Sequence, residues 1–328
     1  MFIWLNANHF AKVNGGVIMR TTIDLEDDVY KKLVQLSVER HGNTKNMSRV
    51  ISELLKPGVK KQKEIVVNNH KIERGKIENY ILDGIEKHGG LLFSVIDPID
   101  YKSLDDAVKT AKNASNAGSD LILIGGSTGV QGEILDNVTK IIKENVDVPV
   151  VLFPGNIGTI TRYADAVYFM SLLNSNNAYW ISKAQMLAAP TVKQLGIEPI
   201  PTGYIVVEPG GTVGHVGEAN LIPRDKPKLA AALALGAQYM GFRFIITDAG
   251  SNPKNGHIPL EMVATVAKFI DVPYIVAGGI RTPEEARNII AAGASAIQVG
   301  TAFEKDGSVD RIKAMVAAVR EGAKARKG

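Results

Sequence analysis

Short apolar runs recur along residues 91–299 of the chain, and segments with helical periodicity separate most of them. A short continuous apolar run is typical of a strand in a parallel sheet that is buried on both faces. Strands that alternate with helices form βα units, and eight such units close into a barrel. The pattern therefore predicts an α/β fold, a (β/α)₈ TIM barrel, with strands at Leu91–Ile96, Asp120–Ile124, Pro149–Phe153, Ala166–Phe169, Tyr204–Val207, Phe242–Ile246, Tyr274–Ala277 and Ala294–Val299.

Two intervals between these strands depart from the regular pattern. Only 12 residues lie between Phe153 and Ala166, which is near the minimum for a crossover between parallel strands. We therefore predict that the third helix of the barrel is missing or degenerate. The interval 171–203 is long instead, and we expect one or two helices there that supply a lid. A further helix is predicted before the first strand, with Ile77, Tyr80, Ile81 and Ile85 at helical spacing and an end at Gly89-Gly90.

The chain before the barrel has a pattern of its own. Residues 20–25 alternate in polarity as a short strand does. Asp27 and Asp28 stand where a helix start favours acidic residues, and Gly42 ends that helix. A second helix follows and is broken at Pro57. This strand–helix–helix order resembles the ribbon-helix-helix module of small repressors and antitoxins, in which two chains pair their strands.

The charge of this amino-terminal module argues only weakly for nucleic acid. Residues 19–60 carry eight Lys or Arg and six Asp or Glu, a balance of 8 − 6 = +2. Asp24 would also present an anion to the DNA phosphates. We therefore favour a segment that promotes self-association over one that binds DNA, and keep DNA binding as the alternative.

Four segments follow from these patterns. Residues 1–18 are expected to be a disordered leader, or an extension upstream of a protein that begins at Met19. Residues 19–56 form the ribbon-helix-helix-like module, and residues 57–73, rich in lysine near a Pro-Gly pair, form a linker. Residues 74–328 form the barrel domain.

Composition narrows the function classes. The net charge of +4 over 328 residues is too small to argue for a nucleic-acid or membrane partner, and the absence of cysteine excludes disulfides and thiolate metal sites. No run reaches the roughly 18 apolar residues of a membrane span. Residues 1–18 are too polar after Leu5 for a signal peptide, so we expect a cytoplasmic protein.

Candidate chemistry lies where the predicted strands end, because a barrel of this kind carries its active site there. Asp97, followed by proline, suits Mg²⁺, although a capping role is an equal alternative. Ser127 offers a hydroxyl after the second strand. Glu208 opens a glycine-rich loop after the fifth strand. Asp248, after the sixth strand, is available as a general base if a hydroxyl is presented to it.

Glycine turns follow the last two strands, at Gly278-Gly279 and Gly300-Thr301. Glycine lets backbone N–H groups approach an anion closely, and the helix that follows adds its positive end. Two such turns in succession predict the phosphate site that barrels build after strands seven and eight. A pair of ordinary βα turns that bind nothing is the alternative.

Longer motifs carry a specific resemblance. Residues 77–304 resemble the family of geranylgeranylglyceryl phosphate synthase and its bacterial relative, heptaprenylglyceryl phosphate synthase, in the stretches LLFSVIDPID, LILIGGST, SLLNSNNAYWISKAQ, GYIVVEPGGTVGHVGEANLIPRDKP, DAGS, VAGGIRTPEEA and IQVGTAFEK. The long GYIVVEPGGTVG match discriminates better than the glycine turns, which many phosphate-binding barrels share. That family folds as a modified barrel without its third helix.

The resemblance implies a Mg²⁺-dependent prenyltransferase. Such an enzyme moves a long prenyl group, geranylgeranyl in our reading, from its diphosphate to the 3-hydroxyl of sn-glycerol 1-phosphate, releases pyrophosphate, and makes the first ether bond of an archaeal-type membrane lipid. The resemblance assigns Mg²⁺ to Asp97 and Ser127 and catalysis to Asp248. It assigns substrate binding to Ile246, Thr247, Asp248, Ala249, Gly250, Ser251, Asn252, Gly278, Gly279, Gly300 and Thr301, and we add Tyr204 and Glu208 from the fifth strand and its end.

One stretch departs from the family pattern. Relatives usually carry Tyr-Leu-Glu-Ala-Gly-Ser-Gly where this chain has residues 246–252, ITDAGSN. The tyrosine is replaced by Ile246, and the acid at Asp248 is one methylene shorter. A displacement near 1 Å can cost about 10²-fold in rate. We hypothesise that Asp248 still reaches the acceptor, through a water or a shifted backbone; a different acceptor and a low activity are the alternatives.

Two other functions stay open at this point. The barrel could be another phosphate-binding TIM-barrel enzyme, or a sensor of a phosphorylated ligand fused to a DNA-binding regulator. For the prenyltransferase we expect a homo-oligomer and, at most, peripheral contact with the membrane that holds the lipid-soluble donor.

Overall fold

The computed structural model describes residues 27–46, 50–51, 74–126 and 130–327, and the chain divides into two compact units at residues 71 and 72. In the first unit, helix α1 spans Asp27–His41, with its acidic residues in the first turn, and Gly42 ends it at φ 72°. This helix agrees with the sequence prediction. The predicted strand at residues 20–25 and most of the second helix lie outside the described residues, so the ribbon-helix-helix module stays a prediction.

Eight parallel strands of the second unit close into a barrel in sequence order, with β8 paired to β1. This confirms the predicted fold class. The strands are β1 (Leu91–Ile96), β2 (Leu121–Ile124), β3 (Val150–Leu152), β4 (Ala166–Leu172), β5 (Glu198–Val206), β6 (Phe244–Asp248), β7 (Tyr274–Ala277) and β8 (Ala296–Val299).

Helices surround the sheet and cover one end of it. They are α2 (Lys76–His88), α3 (Leu104–Asn116), α4 (Gly132–Asn145), α5 (Ala184–Leu195), α6 (Gly211–Val216), α7 (Pro227–Tyr239), α8 (Leu260–Phe269), α9 (Pro283–Ala291), α10 (Thr301–Lys305) and α11 (Val309–Lys327). Among the described residues, no helix has the length and apolar character needed to cross a bilayer.

The third helix of the regular barrel is absent, as predicted. Residues 153–165, all of which the structure describes, contain only turns and bends between β3 and β4. The long interval after β4 holds one continuous helical segment, in which a π-helical stretch (Tyr179–Lys183) runs directly into α5. The outer face of the sheet near β4 is therefore covered by α5 and by a loop instead of by a complete set of crossover helices.

Strands β4 and β5 are longer than the sequence suggested, and β6 is displaced towards its carboxyl end. Strand β4 continues to Leu172 instead of ending at Phe169. Strand β5 begins at Glu198 instead of Tyr204, because the segment 198–204 pairs in parallel with 166–172 of β4 despite two prolines. Strand β6 ends at Asp248 instead of Ile246, because it pairs with β7 up to Asp248↔Ala277. In each case pairing with a neighbouring strand carries the end of the strand past the bound that the apolar run suggested.

The apolar core has two layers, as a closed sheet requires. The inner layer fills the barrel with large side chains, among them Phe93, Tyr168 and Phe244. The outer layer packs the other strand face against the surrounding helices. Since side chains alternate along a strand, the residue that follows an inward one is directed to the outer layer.

Helix α2 closes the amino-terminal end of the barrel. Ile77 and Ile81 pack into the inner core. The carboxylate of Glu198, at the start of β5, accepts the N–H groups of Ile77 (2.7 Å) and Glu78 (2.8 Å). The buried carboxylate of Glu78 is paired with Arg243 at 2.7 Å. These contacts leave the carboxyl end of the barrel as its open end.

Candidate active site

A cavity of about 180 Å³ opens at the carboxyl end of the barrel, and we call it the mouth cavity. Its lining brings together the predicted metal residue Asp97, the predicted base Asp248 and the glycine turns 278–279 and 300–301. Residues that are 204 positions apart in the chain, 97 and 301, thus share one site. The closure of the barrel produces this arrangement, because all eight strands end at the same rim.

Asp248 is the last residue of β6 and is directed into the barrel. Its Oδ2 accepts a hydrogen bond from the Tyr204 hydroxyl at 2.7 Å, and its Oδ1 accepts the N–H of Gly250 at 2.6 Å. Burial raises the pKa of the Asp248 carboxyl, and the two hydrogen bonds act in the opposite direction. Burial and the nearby Asp248 charge raise the pKa of Tyr204 well above its ordinary value. The pair is a carboxylate fixed by a phenol donor.

The other residues of the predicted segment 246–252 face different sides of the sheet, because side chains alternate along a strand. Ile246 belongs to the inner core, one step below Asp248. Thr247 is directed outward, where its hydroxyl lies 2.7 Å from the Tyr274 hydroxyl, and Ala249 lies in the outer core. None of these three lines the mouth cavity, whereas Gly250, Ser251 and Asn252 do. Side-chain contact with a ligand is therefore confined to part of the predicted segment.

The glycines at the strand ends are required by close approach as well as by conformation. Gly278 and Gly279 have φ of 81° and 73°. A Cβ at Gly278 would lie 2.6 Å from Asp248 Oδ1, so a side chain there would displace the acid. Glycine is therefore needed in the turn after β7, where the backbone passes close to the acid.

The amides just before α9 are used within the start of that helix. The helix begins in a capping box, and the Glu285 carboxylate accepts the N–H groups of Arg281 (2.6 Å) and Thr282 (2.9 Å). These amides are already occupied. Positive charge at the mouth comes instead from side chains that the sequence analysis missed, Arg281, Lys305 and Arg311, all of which line the cavity.

Arg281 is held in position by the loop after β6. Its guanidinium donates to Asn252 Oδ1 at 3.1 Å and to the Pro253 carbonyl at 2.7 Å. Its position three residues after Gly278 is a signal that the sequence offered, since the residues beside a phosphate-binding turn are natural sites for a cation. Arg311 lies in α11, remote from any glycine turn, and carried no such signal.

Three carboxylates meet beside the mouth cavity. Ligand oxygens of Asp97, Asp100 and Glu304 lie within 4.8 Å of one another. Burial, then the charges of Asp100 and Asp248, raises the pKa of Asp97 to about 7. Burial, then the charges of Asp97 and Asp100, raises the pKa of Glu304 to about 7. Clustered oxygen ligands that repel one another are what a hard divalent cation neutralises.

Two of these carboxylates were absent from the sequence-based site. Asp100 follows β1 in the short 3₁₀ turn Pro98–Asp100, and Glu304 lies in α10 just after the eighth-strand turn. They meet because β8 pairs with β1 when the barrel closes. Ser127, the other predicted Mg²⁺ ligand, lies outside the described residues. Asp97 is therefore the predicted metal ligand that the structure describes, and Asp100 and Glu304 are the carboxylates beside it.

Glu208 is not brought into the mouth cavity. It follows β5 with an exposed side chain, and its Oε2 accepts the backbone N–H of Arg224 at 3.4 Å. Arg224 donates in turn to the carbonyls of Glu208 (3.3 Å) and His257 (2.7 Å). The glycine-rich segment after Glu208 is only partly a loop, because Gly211–Val216 forms α6. Through Arg224, the loop after β5 is hydrogen-bonded to the loop that contains His257.

A second cavity, of about 110 Å³, adjoins the first one, and we call it the apolar channel. The two cavities share the lining residues Pro154, Gly155, Met170, Tyr204 and Val213. The channel runs beside the segment 153–165 that replaces the third helix. The helical segment predicted as a lid forms its wall, with Trp180, Ala184, Ala188 and Val192 among the lining residues.

Fold and site together define a (β/α)₈-barrel protein whose mouth is lined by acids, basic side chains and glycine turns and adjoins an apolar channel. Comparison with known proteins gives the family. The chain belongs to the PcrB family, whose model matches residues 86–319.

Several relatives are similar over most of the barrel. The geranylgeranylglyceryl phosphate synthase of Thermococcus gammatolerans is 50% identical over 253 residues, which cover 77% of this chain and 99% of the relative. That of Pyrococcus horikoshii is 52% identical over 248 residues, which cover 76% of this chain and 96% of the relative. These relatives confirm the family resemblance seen in the sequence.

A solved structure extends the comparison to a bound ligand. The crystal structure of (S)-3-O-geranylgeranylglyceryl phosphate synthase from Thermoplasma acidophilum, in complex with its substrate sn-glycerol-1-phosphate, superposes with a TM-score of 0.71 at 37% identity. It covers 76% of this chain and 100% of its own. The fold of the barrel unit is therefore that of this enzyme.

Proposed function

We propose that this chain is a Mg²⁺-dependent prenyltransferase. It joins a long prenyl diphosphate, geranylgeranyl diphosphate in our proposal, to the 3-hydroxyl of sn-glycerol 1-phosphate and releases pyrophosphate. The product carries the first ether bond of an archaeal-type membrane lipid. One observation carries the proposal: a cavity lined by glycine turns and by two separated acids opens directly into an apolar channel.

The acceptor binds through its phosphate at the glycine turns. Backbone N–H groups after β7 and β8 are accessible there because Gly278 and Gly300 carry no side chain. Arg281 and Arg311 supply positive charge at the same rim. The sn-glycerol-1-phosphate in the Thermoplasma acidophilum enzyme supports this choice of acceptor.

Asp248 accepts the proton of the acceptor hydroxyl. The acceptor oxygen forms a bond to C1 of the prenyl group while the bond from C1 to the diphosphate oxygen breaks, and the proton passes to the carboxylate. A base with a raised pKa accepts a proton more readily, and burial raises the pKa of Asp248. The hydrogen bond from Tyr204 orients the carboxylate, and the reach of this shorter acid to the acceptor, through a water or a shifted backbone, stays a prediction.

Asp97, Asp100 and Glu304 would hold the Mg²⁺, with Ser127 as the further ligand suggested by the sequence. The ion, when bound, neutralises the charge that develops on the leaving diphosphate. The three carboxylates fit this role because their oxygens converge and because the pKa of two of them is raised by their proximity and burial. Asp97 also lines the mouth cavity, so it faces the reacting groups.

The apolar channel receives the prenyl chain. Its lining is almost entirely aliphatic and aromatic, and burial of each CH₂ of a hydrocarbon chain is favourable by about 0.8 kcal/mol. Phe153 packs edge-on against Tyr168 (5.8 Å between ring centroids) and Tyr204 (5.7 Å) at the border with the mouth cavity. This ring cluster separates the polar acceptor from the apolar donor.

The setting of the enzyme follows from its donor. A prenyl diphosphate is lipid-soluble, so we propose at most peripheral contact with the membrane that holds it. A cytoplasmic homo-oligomer is a separate proposal carried over from the sequence analysis. DNA binding by residues 19–56 remains a hypothesis of the sequence analysis.

The direct test is synthesis of the ether. Labelled sn-glycerol 1-phosphate, Mg²⁺ and geranylgeranyl diphosphate should yield a labelled product that partitions into organic solvent, and EDTA should abolish its formation. Labelled acceptor that stays in the aqueous phase with geranyl, farnesyl and geranylgeranyl diphosphates alike would reject the function.

A further inference from the structure

One polar side chain of the mouth cavity has no role in the mechanism above. Gln298, in β8, is only 3% exposed and lines the cavity. Among the described residues, neither its Oε1 nor its Nε2 has a hydrogen-bond partner. Buried amide groups are almost always paired, because leaving them unpaired costs free energy. An unpaired amide that faces a substrate cavity indicates that the ligand provides its partner.

The strand register places Gln298 at the same level as the base, two strands away. Asp248 pairs with Ala277 of β7, and Ala277 pairs with Gln298 of β8. Two steps of about 4.8 Å between neighbouring strands separate the Asp248 and Gln298 backbones by roughly 10 Å. The residue between them contributes a single methyl group, so space for a small molecule remains between carboxylate and amide. The glycine turns 278–279 and 300–301 follow the same strands, β7 and β8.

We propose that Gln298 determines acceptor specificity by binding the 2-hydroxyl of sn-glycerol 1-phosphate. This inference rests on the proposed function. A hydroxyl both donates and accepts, so one hydroxyl pairs with Nε2 as its donor and with Oε1 as its acceptor. The phosphate at the glycine turns, the 3-hydroxyl at Asp248 and the 2-hydroxyl at Gln298 then make three contacts around the chiral carbon. The mirror-image acceptor can satisfy only two of them at once.

The surroundings of Gln298 argue against a structural role. Its partners across the sheet are Phe93 and Ala277, and Ala296 precedes it on the same inward face. An apolar side chain of similar size suits these neighbours better than an amide does. Gln298→Leu should therefore leave the unfolding temperature of the ligand-free protein unchanged or higher, as expected where a residue serves binding at the expense of stability.

The test compares two acceptors that differ only at the 2-position. These are sn-glycerol 1-phosphate and 3-hydroxypropyl phosphate, which lacks the 2-hydroxyl. The wild-type enzyme should favour the first by at least about tenfold in kcat/KM, because the second leaves the amide unpaired. In Gln298→Leu this ratio should fall towards one, and the preference over sn-glycerol 3-phosphate should weaken with it.

Calorimetry can also measure the affinity of wild-type protein for each of the two acceptors in the absence of the donor. This repeats the comparison without a variant. Equal wild-type affinities, or an acceptor ratio that Gln298→Leu leaves intact, would overturn the inference. A lower unfolding temperature of ligand-free Gln298→Leu would also overturn it, by assigning the side chain to stability. Failure of the wild-type enzyme to prenylate either acceptor would reject the proposed function instead, and the calorimetry would still decide the role of Gln298.

Discussion

The hydroxyl of Tyr204 donates a hydrogen bond of 2.7 Å to the buried carboxylate of Asp248, across the boundary between strands β5 and β6. The second carboxylate oxygen accepts the N–H of Gly250. Both bonds favour the ionised acid, whereas burial favours the neutral one. The reactivity of Asp248 therefore depends on a side chain from the neighbouring strand.

Asp248→Asn should reduce turnover and preserve acceptor binding. The amide has nearly the same shape but cannot accept the proton, and the loss of a general base costs about 10²- to 10⁴-fold in rate. Rate measurements at saturating substrate, with calorimetric binding of sn-glycerol 1-phosphate, separate the two effects. Asp83→Asn, an exposed change on α2 at the closed end of the barrel, is the matched control. Unchanged turnover would remove Asp248 from the mechanism.

Tyr204→Phe should shift the pH dependence. The Tyr204 hydrogen bond lowers the pKa of Asp248 against the effect of burial. Without it the pKa rises further, so a higher pH is needed to ionise the base, and the acidic limb of kcat/KM should move to higher pH. The pH–rate profiles of the two proteins give this shift directly.

Tyr168→Phe provides the comparison for that change. Tyr168 is an equally buried tyrosine that packs on Phe153, and in the described part of the chain its hydroxyl has no partner. Its removal should leave the acidic limb where it is. An acidic limb that stays in place in Tyr204→Phe, or moves to lower pH, would contradict the assignment of the base.

Mg²⁺ should stabilise the protein through Asp97. A ligand at 100 times its Kd adds about 2.7 kcal/mol, which corresponds to roughly 5–10 °C in a domain of this size. Thermal unfolding with and without Mg²⁺ should show this rise in the wild type and in Asp105→Asn, an exposed aspartate of α3. Asp97→Asn should lose most of it, and a full rise in Asp97→Asn would place the ion elsewhere.

Ala188→Trp should reduce the length of the prenyl chain that the enzyme can use. Ala188 lines the apolar channel from α5, and an indole there occupies space that the distal prenyl units need. The kcat/KM for geranylgeranyl diphosphate should fall at least about tenfold, because a few CH₂ groups of the donor are no longer buried. The kcat/KM for geranyl diphosphate should change little. Ala189→Trp, exposed on the same helix, is the control. Equal losses for both donors would argue against the channel.

The regular part of the fold was readable from the sequence. Strands β1 and β7 match their predicted bounds because each is an apolar run buried on both faces and closed by polar or glycine residues. A missing or degenerate third helix was also readable, since the 12 residues between Phe153 and Ala166 are near the minimum for a crossover. Strand β5 was cut short because its first half carries two prolines and a glutamate, and pairing with β4 overrides that local signal.

The site was only partly readable. Asp97, Asp248 and the glycine turns follow strand ends, a position that the periodicity locates. The resemblance assigned the whole segment 246–252 to the acceptor, whereas the structure shows that Thr247 and Ala249 face the outer layer. Glu208 was also assigned to the site, and the structure places its exposed side chain outside the lining of the mouth cavity.

Local patterns in the chain were sufficient for the βα repeat, the open end that carries the chemistry and the family of the protein, because these depend on periodicity and on contiguous motifs. The contact of Tyr204 with Asp248, the meeting of Asp100 with Glu304 and the unpaired amide of Gln298 in the cavity depend on barrel closure. Closure sets the register between strands and so determines which distant side chains face one another, and no stretch of the chain contains that information in its own neighbourhood.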